Sequence, residues 1–274
     1  MPELPEVETI RRTLLPLPST RIANVTLSAV APLEHCSRQT VRRALLNAQC
    51  TALTRHGKYL LLWTDRDAGL VLHLGMTGRL LRVAAPSPPA PHTHCELHFA
   101  DRQIVRYTDP RRFGTISLTH DPRGADNPFL QRLGPDYLDP ALRPEHFIVR
   151  VRRHPRLALK ALLLHQGIAA GMGNIYACEA LYHAALDPCR TVARCSDAEL
   201  ARLLHAARHV LAKGITHGGT TLRDYVDGHG SRGAMQTFLQ VYGRDGLSTL
   251  DGRGMVSRFP QHGRSTWFAP EIQR

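Results

Sequence analysis

The first residues of the chain, Met-Pro-Glu, hold its most reactive arrangement. Proline behind an initiator methionine is small enough for that methionine to be removed, which leaves Pro2 as a free secondary amine. An α-amino group has a pKa near ~8, so a useful fraction is unprotonated at neutral pH. A secondary amine attacking an aldehyde carbon gives an iminium ion with no N–H proton to lose, a cationic electron sink. Glu3 could serve as general acid or base at the same carbon. Many proteins start Met-Pro without such chemistry, and two residues make a weak motif.

Other residues could also do chemistry. His92 and His94 form an H-x-H pair with Cys95 and His98 nearby. On a strand His94 and Cys95 face opposite sides, so convergent metal ligands are not expected there. Lys58 sits in HGKYLL, a turn leading into a strand, and on those grounds alone a solvated strand-start lysine is the preferred reading. In GMGNIYACEAL, Gly173 and Asn174 stand where a turn becomes a helix, and the amides of a helix start bind phosphate. Arg156 and Lys160 lie on the preceding helix, where a solvated basic face is the simpler reading.

These residues need elements to hold them. Residues 3–15 read as a helix with Pro5 in its first turn; Val7, Ile10 and Leu14 share one face. Glu3, Glu6 and Glu8 would meet the positive end of its dipole. Residues 20–120 look mostly β, in short runs such as KYLLLWT, GLVLHL and QIVRYT. SRQTVRRALLNA reads as a helix with a serine cap, and 85–92 as a proline-rich loop. The texture changes near 133–144. Beyond it 156–213 is helical, with Ser196 as a cap and Gly214 as a stop, and from 237 the pattern returns to β with a turn at PQHGR. The expected divisions are 1–133, a hinge at 134–150, a helical unit at 151–236 and a terminal hairpin at 237–274.

The chain has 274 residues and formal net charge +12, with arginines spread from Arg11 to Arg274. A basic folded surface of that kind favours a polyanion, nucleic acid first. No signal peptide or membrane span is visible, and none of the six cysteines forms a C-x-x-C pair. Reduced cysteines in a cytoplasmic protein are the expectation.

The start MPELPEVETIRR resembles that of the bacterial formamidopyrimidine-DNA glycosylase (Fpg/MutM) family. HGKYLL, HLGMTGRL, HTHCELHF, YTDPRRFG, GMGNIYACEAL, GGTTLRDYV and LQVYGRDG resemble the same family in the same order. The resemblance implies an α+β fold: an N-terminal β-sandwich flanked by helices, then a helical domain with a helix–two-turn–helix and a β-hairpin finger, DNA lying in the cleft between domains. It implies a monomeric, nucleoid-associated enzyme that excises oxidised purines from duplex DNA and cuts the strand at the abasic sugar. By the same resemblance Pro2 attacks the sugar C1′, Glu3 opens the ring, Glu6 supports the site by hydrogen bonding, and Lys58 assists β-elimination. Met76, Arg111 and Phe113 match the trio that fills the space of a flipped nucleotide. His73, His92, Arg156, Lys160, Asn174 and Tyr242 fall at DNA-contact positions, and Asp224 to Gln236 at the flexible loop over the flipped purine. The rival readings are an endonuclease VIII-like enzyme for oxidised pyrimidines and a catalytically silent DNA binder. Leu4-Pro5-Glu6-Val7 with the full-length loop argues against the first; Pro2, Glu3 and Lys58 together argue against the second.

The family finger holds zinc with four cysteines. The matching positions are Thr249, Gly252, Ala269 and Ile272, and 237–274 contains no cysteine, so a zinc-free finger and no cofactor are expected. Leu250, Val256, Phe259, Trp267, Phe268 and Ile272 would replace the metal at roughly 1.5–3 kcal/mol per buried side chain. The Pro260–Gly263 turn would set the hairpin, with Arg264 at the position of the family's DNA-contacting arginine.

Overall fold

A computed structural model describes residues 2–274, and the chain divides into two compact units. The first comprises residues up to 132 together with 218–233; the second comprises 133–217 and 234–274.

The first unit begins with helix α1 (Leu4–Thr13) and adds α2 (Arg38–Leu45) and eight strands: β1 (Ile22–Leu27), β2 (Cys50–His56), β3 (Tyr59–Thr64), β4 (Gly69–His73), β5 (Arg79–Ala84), β6 (Thr93–Phe99), β7 (Gln103–Thr108) and β8 (Thr115–Thr119). They make two antiparallel four-stranded sheets in the orders β1-β6-β7-β5 and β2-β3-β4-β8. Val7 and Ile10 of α1 and Leu14 at its C-cap share one core with Leu60, Leu62, Leu72, Leu97 and Tyr107. Alternate residues of β3, β4, β6 and β7, such as Leu60 and Leu62 or Leu70 and Leu72, join that core, as the period of a half-buried strand requires. The sequence pattern missed β2 and β8, because CTALTRH and TISLT carry too few large apolar residues to stand out. Ser37 caps α2 by accepting the Thr40 N–H at 3.1 Å, as expected.

The acids of α1 do more than meet a helix dipole. Glu8 is buried and takes three guanidinium groups: Arg11 at 2.8 Å, Arg12 at 2.7 Å and Arg55 of β2 at 3.1 Å. Arg55 also donates to the Gly57 carbonyl at 2.9 Å, immediately before Lys58. A carboxylate in the first helical turns thus fixes α1 to the β2–β3 turn. Burial alone would raise the Glu8 pKa, but the hydrogen bonds from Arg11 and Arg12 and the charges of Arg11 and Arg55 outweigh it and bring it down to about 2.

The second unit holds α3 (Pro144–Arg152), α4 (Leu159–Leu164), α5 (Asn174–His183), α6 (Asp197–Thr216), and a hairpin of β9 (Ser257–Gln261) and β10 (Arg264–Phe268). No helix of the described residues is long and apolar enough to cross a membrane. The stretch expected as a hinge contains α3, started by Pro144 in its first turn. Gly214 does not stop α6, which runs two residues further. A Cβ at Gly214 would lie 2.6 Å from the Tyr176 ring, so its glycine serves close helix packing. Residues 218–233, expected within the helical unit, join the first unit instead. Gly228 N–H donates to Thr13 at 2.9 Å and its carbonyl accepts the Arg82 N–H at 3.0 Å. The glycines of this segment thus do not leave it without partners.

The apolar replacement expected in the finger is only partly present. Val256 is buried at 2% exposure, whereas Leu250 is 45% exposed and Phe259, Trp267, Phe268 and Ile272 are half-buried. Six full burials therefore do not hold the hairpin, and polar contacts carry much of that task.

Glu8→Ala would strand three arginines and should lower unfolding stability by about 3 kcal/mol in urea titration. Because the folded carboxyl pKa lies below its ordinary value, this contribution is complete above pH 4.5 and is lost as pH falls toward 2. A wild-type minus Glu8→Ala difference that stays constant over that range would contradict the role.

Candidate functional site

The reactive end of the chain is buried and tightly held. Pro2 is buried, and Glu3 and Glu6 are 2% and 1% exposed. Glu3 is the N-cap of α1, and its backbone N–H donates to Glu6 Oε2 at 2.8 Å. The other oxygen, Oε1, accepts the Thr220 N–H at 2.6 Å. Tyr225, on the same returning segment, donates to the Gly218 carbonyl at 3.0 Å and reaches the Glu6 carbonyl at 3.4 Å. One buried carboxylate therefore fixes the peptide after Pro2 and the segment 218–233 together. The sequence marked Glu6, and it marked Thr220 and Tyr225 only as part of GGTTLRDYV; that they meet Glu6, 214 and 219 positions away, was not written there. Gly219 has φ +81 and passes against Glu6, where a Cβ would lie 2.9 Å from Oε1. A glycine is required there by both conformation and space.

Lys58 lies in the turn directly before β3 at 8% exposure, which sets aside the solvated strand-start reading. Tyr59, next to it, pairs with His73 across β3 and β4, and their rings lie 4.7 Å apart. His73 Nδ1 accepts the Gly75 N–H at 3.2 Å, so its proton sits on Nε2. Burial first, and the Lys58 charge second, lower its pKa to about 4. His73 thereby shapes the turn that presents Met76.

Met76 and Phe113 are not core residues: they are 41% and 53% exposed. The Arg111 guanidinium stacks over Phe113 at 4.6 Å. Two loops carry this trio, and Asp109 joins them. It accepts Thr77 Oγ1 at 2.5 Å, the Gly114 N–H at 2.9 Å and the Tyr107 hydroxyl at 3.2 Å. Thr77 Oγ1 in turn accepts the Arg111 N–H at 3.3 Å. A Cβ at Gly75 would lie 2.4 Å from Gly114 N, so the loops touch backbone to backbone. An exposed apolar pair beside a guanidinium, on loops fastened at their bases, is suited to entering a base stack. Neither Asp109 nor Thr77 stood out in the sequence as a site residue. His92 is exposed, and its carbonyl accepts the Asp109 N–H at 3.0 Å. His94 is buried between Ser28 Oγ and the Asp109 carbonyl, each at 3.0 Å, as a structural histidine. Among the described residues no group of three or more His, Cys, Asp or Glu could hold a metal ion.

The second unit places the remaining residues. Arg156 is exposed. Lys160 is not available as a surface phosphate contact: it is 1% exposed and donates to the Ser265 carbonyl at 2.9 Å and Thr266 Oγ1 at 2.7 Å. Burial lowers its pKa, with the nearby Arg264 charge acting in the same sense. Asn174 Nδ2 donates to the same Ser265 carbonyl at 3.0 Å. Both side chains therefore fasten the strand that starts at Arg264, on the rim of an open pocket of about 350 Å³ shared with His165 and His262. The turns between α4 and α5 are organised by Gln166, unremarked in the sequence. Its amide donates to the Leu164 and Met172 carbonyls at 2.8 and 2.9 Å and accepts the Gly171 N–H at 3.0 Å. The Tyr242 ring packs tilted against Trp267 with centroids 4.2 Å apart, and its N–H donates to Glu179 at 2.9 Å.

The chain is similar to known proteins over its length. The family model described as the formamidopyrimidine-DNA glycosylase N-terminal domain matches residues 1–116, and that of the formamidopyrimidine-DNA glycosylase H2TH domain matches 133–226. The formamidopyrimidine-DNA glycosylase of Moorella thermoacetica is 44% identical over 90% of each chain, and that of Halorhodospira halophila 41% identical over 100% of each. The crystal structure of the MutM (FPG) protein from Thermus thermophilus is similar at TM-score 0.86 and 37% identity, covering 99% of this chain and 98% of that one. A Lactococcus lactis FPG variant in complex with a Fapy-dG containing DNA is similar at TM-score 0.89 and 30% identity over 100% of both chains.

The His73 geometry has a direct readout. At pH 7 its imidazole should show the neutral Nε2–H tautomer by NMR and take up a proton only near pH 4. Since the folded pKa is below the ordinary 6.5, His73 should cost stability as pH falls from 6.5 toward 4 and nothing further below that. A midpoint near 6.5 would remove the assigned hydrogen bond to Gly75.

Proposed function

The chain belongs to the formamidopyrimidine-DNA glycosylase family, and we propose that it is a bifunctional DNA glycosylase and abasic-site lyase of base excision repair. Its substrate is duplex DNA carrying oxidised purines, 8-oxoguanine and formamidopyrimidines, or abasic sites; its setting is the bacterial cytoplasm and nucleoid. The observation that carries this reading is the buried Pro2-Glu3 end, fixed through Glu6 to both its own backbone and Thr220. The relatives that match over their whole length support it. The nucleophile is the Pro2 nitrogen after loss of Met1, which lies outside the described residues.

In this mechanism the Pro2 nitrogen attacks C1′ of the extruded nucleotide. The bond from C1′ to the damaged base breaks and the base leaves with a proton. Glu3 protonates the ring oxygen, the sugar opens, and an iminium joins Pro2 to C1′. Loss of a C2′ proton, assisted by Lys58, expels the 3′ phosphate; a second elimination, associated with Arg264, expels the 5′ phosphate. Flipping a nucleotide costs a few kcal/mol of stacking and pairing. Met76 and Phe113 fill the vacated stack, and Arg111 meets the orphaned base. His73, with its proton on Nε2, His92, Arg156 and the amides at the start of α5 hold phosphates, which position the duplex without reading it. Lys160, Asn174 and Tyr242 act from inside, holding the hairpin that presents Arg264.

The finger works without zinc. Thr249, Gly252, Ala269 and Ile272 stand where the family has its metal-binding cysteines, and none of these side chains is a zinc ligand. The hairpin still forms, with His262-Gly263 as its two-residue turn and Gln261 paired with Arg264.

Borohydride should trap the protein covalently on an 8-oxoguanine duplex more efficiently than on an oxidised-pyrimidine duplex. Pro2→Gly should cripple trapping and a retained Met1 should abolish it. Undiminished trapping with Met1 in place would sink the mechanism.

Elemental analysis should find no stoichiometric zinc, and chelator should leave strand cleavage intact. Arg264→Ala should weaken lesion binding or cleavage, typically by a factor of about 10 or more for loss of a charged contact, on the order of 1.4 kcal/mol. One zinc per chain would overturn the metal-free finger while leaving the glycosylase reading untouched.

A further inference from the structure

The metal-free finger poses a physical question. A small hairpin with half-buried aromatics needs something to close its base, and in small finger peptides a structural zinc supplies an apparent ~10–16 kcal/mol. We propose that a hydrogen-bonded knot of Thr249, Asp251 and Arg253, docked on α5 through Tyr182 and Glu179, closes this finger in place of a metal and positions Arg264. This inference rests on the zinc-free reading and adds the groups that make it workable.

Thr249 stands at the position of the first family cysteine and is 2% exposed. Its hydroxyl donates to Asp251 Oδ1 at 2.7 Å. The same oxygen accepts the backbone N–H groups of Arg253 at 3.0 Å and Gly254 at 3.3 Å. Thr249 N–H closes the loop on the Gly254 carbonyl at 2.8 Å. One side-chain atom thus gathers a tight turn of backbone amides around itself, which is what a metal-bound thiolate does in a zinc knuckle.

Asp251 is the negative centre of the knot. It accepts the Tyr182 hydroxyl at 2.7 Å and Arg253 Nε at 2.8 Å, besides Thr249. Its backbone N–H donates to Gln240 Oε1 at 3.0 Å. Arg253 also donates to the Tyr182 hydroxyl at 3.2 Å, closing a ring of charge-assisted bonds.

Helix α5 is the anvil for both ends of this segment. Tyr182 holds Asp251. Glu179, one turn earlier and 1% exposed, accepts the N–H groups of Gln240 at 2.8 Å, Val241 at 3.0 Å and Tyr242 at 2.9 Å. After the knot the chain enters β9; after β10 it returns, and Glu271 accepts the Met255 N–H at 2.7 Å. Gln273 accepts the Ala269 N–H at 2.8 Å and donates to the Leu186 carbonyl at 3.0 Å. Cys178, Tyr182, Val241, Val256 and Ala269 pack together beneath, with Trp267 at the edge. The two strands therefore leave and rejoin a fixed base, and Arg264 lies at the far end of that lever.

The test uses the full chain. Its two tryptophans are Trp63 in β3 and Trp267 in β10, so in a Trp63→Phe background the emission reports the hairpin alone. Thr249→Val, Asp251→Asn and the milder Tyr182→Phe should each red-shift Trp267. Each should raise KM for the 8-oxoguanine duplex, by about tenfold for the loss of a charge-assisted partner at Asp251, with kcat for base release changed far less. Thr249→Ser keeps the hydroxyl and should behave as wild type. Arg264→Ala added to Asp251→Asn should raise KM little further, because both act through one lever. If Thr249→Val and Asp251→Asn leave KM and Trp267 emission unchanged, or if Thr249→Ser fails to restore them, the knot does not close the finger. A wild-type protein that cuts the lesion duplex while those variants match it overturns the knot and leaves the glycosylase reading standing.

Discussion

The Glu6 carboxylate is the constraint on which the reactive end depends. It is buried, and both oxygens accept backbone N–H groups, from Glu3 and from Thr220. A buried carboxylate left unpaired would cost several kcal/mol, so the fold is compelled to bring those two amides to it. The consequence is a held Glu3 backbone, directly after Pro2. Residues near a chain end are ordinarily the first to fray. Here Glu6 ties the Glu3 N–H to the returning segment 218–233, and Glu8 ties α1 through Arg55 to the β2–β3 turn, so a secondary amine at Pro2 would meet its target in one orientation. Pre-orientation of that kind is worth more to a covalent step than a modest change in basicity.

The same device recurs away from the N-terminus. Asp109 ties the loop of Met76 to the loop of Arg111 and Phe113. Glu179 gathers three amides of residues 240–242, and burial raises its pKa despite those donors. Asp251 gathers hydroxyls and a guanidinium, and those bonds carry its pKa downward against the effect of burial. In each case an acidic side chain of a basic protein binds backbone, hydroxyl or arginine donors and so sets local geometry. The net charge of +12 leaves a surplus of cations, many of them exposed arginines, to meet a polyanion.

Met76 and Phe113 show why exposure carries information that hydrophobicity does not. Met76 and Phe113 are large and apolar, yet about half of each faces solvent. Isolated exposed apolar residues are ordinary. Two of them beside a stacked guanidinium, on loops whose glycines permit backbone contact, form a surface with no packing purpose in the free protein.

By itself the sequence determined the α+β class, the strand-rich first half, the helices after residue 156 and the family, and it singled out Pro2-Glu3 as the candidate pair, because each is written in local periodicity or an ordered set of short motifs. It also determined that the finger lacks its four cysteines, since an absent thiolate needs no structure to be seen. What only the tertiary structure decided is which polar groups meet. Thr220 beside Glu6, Arg55 beside Glu8, Lys160 turned inward to Ser265, and the Thr249–Asp251–Tyr182 knot all join residues far apart in the chain or residues whose types have many other uses. All but Val256 of the apolar side chains expected to hold the finger stayed partly exposed for the same reason. Periodicity reports which face is turned inward, but the hydrogen-bond partners of a buried polar group are chosen by the folded chain as a whole.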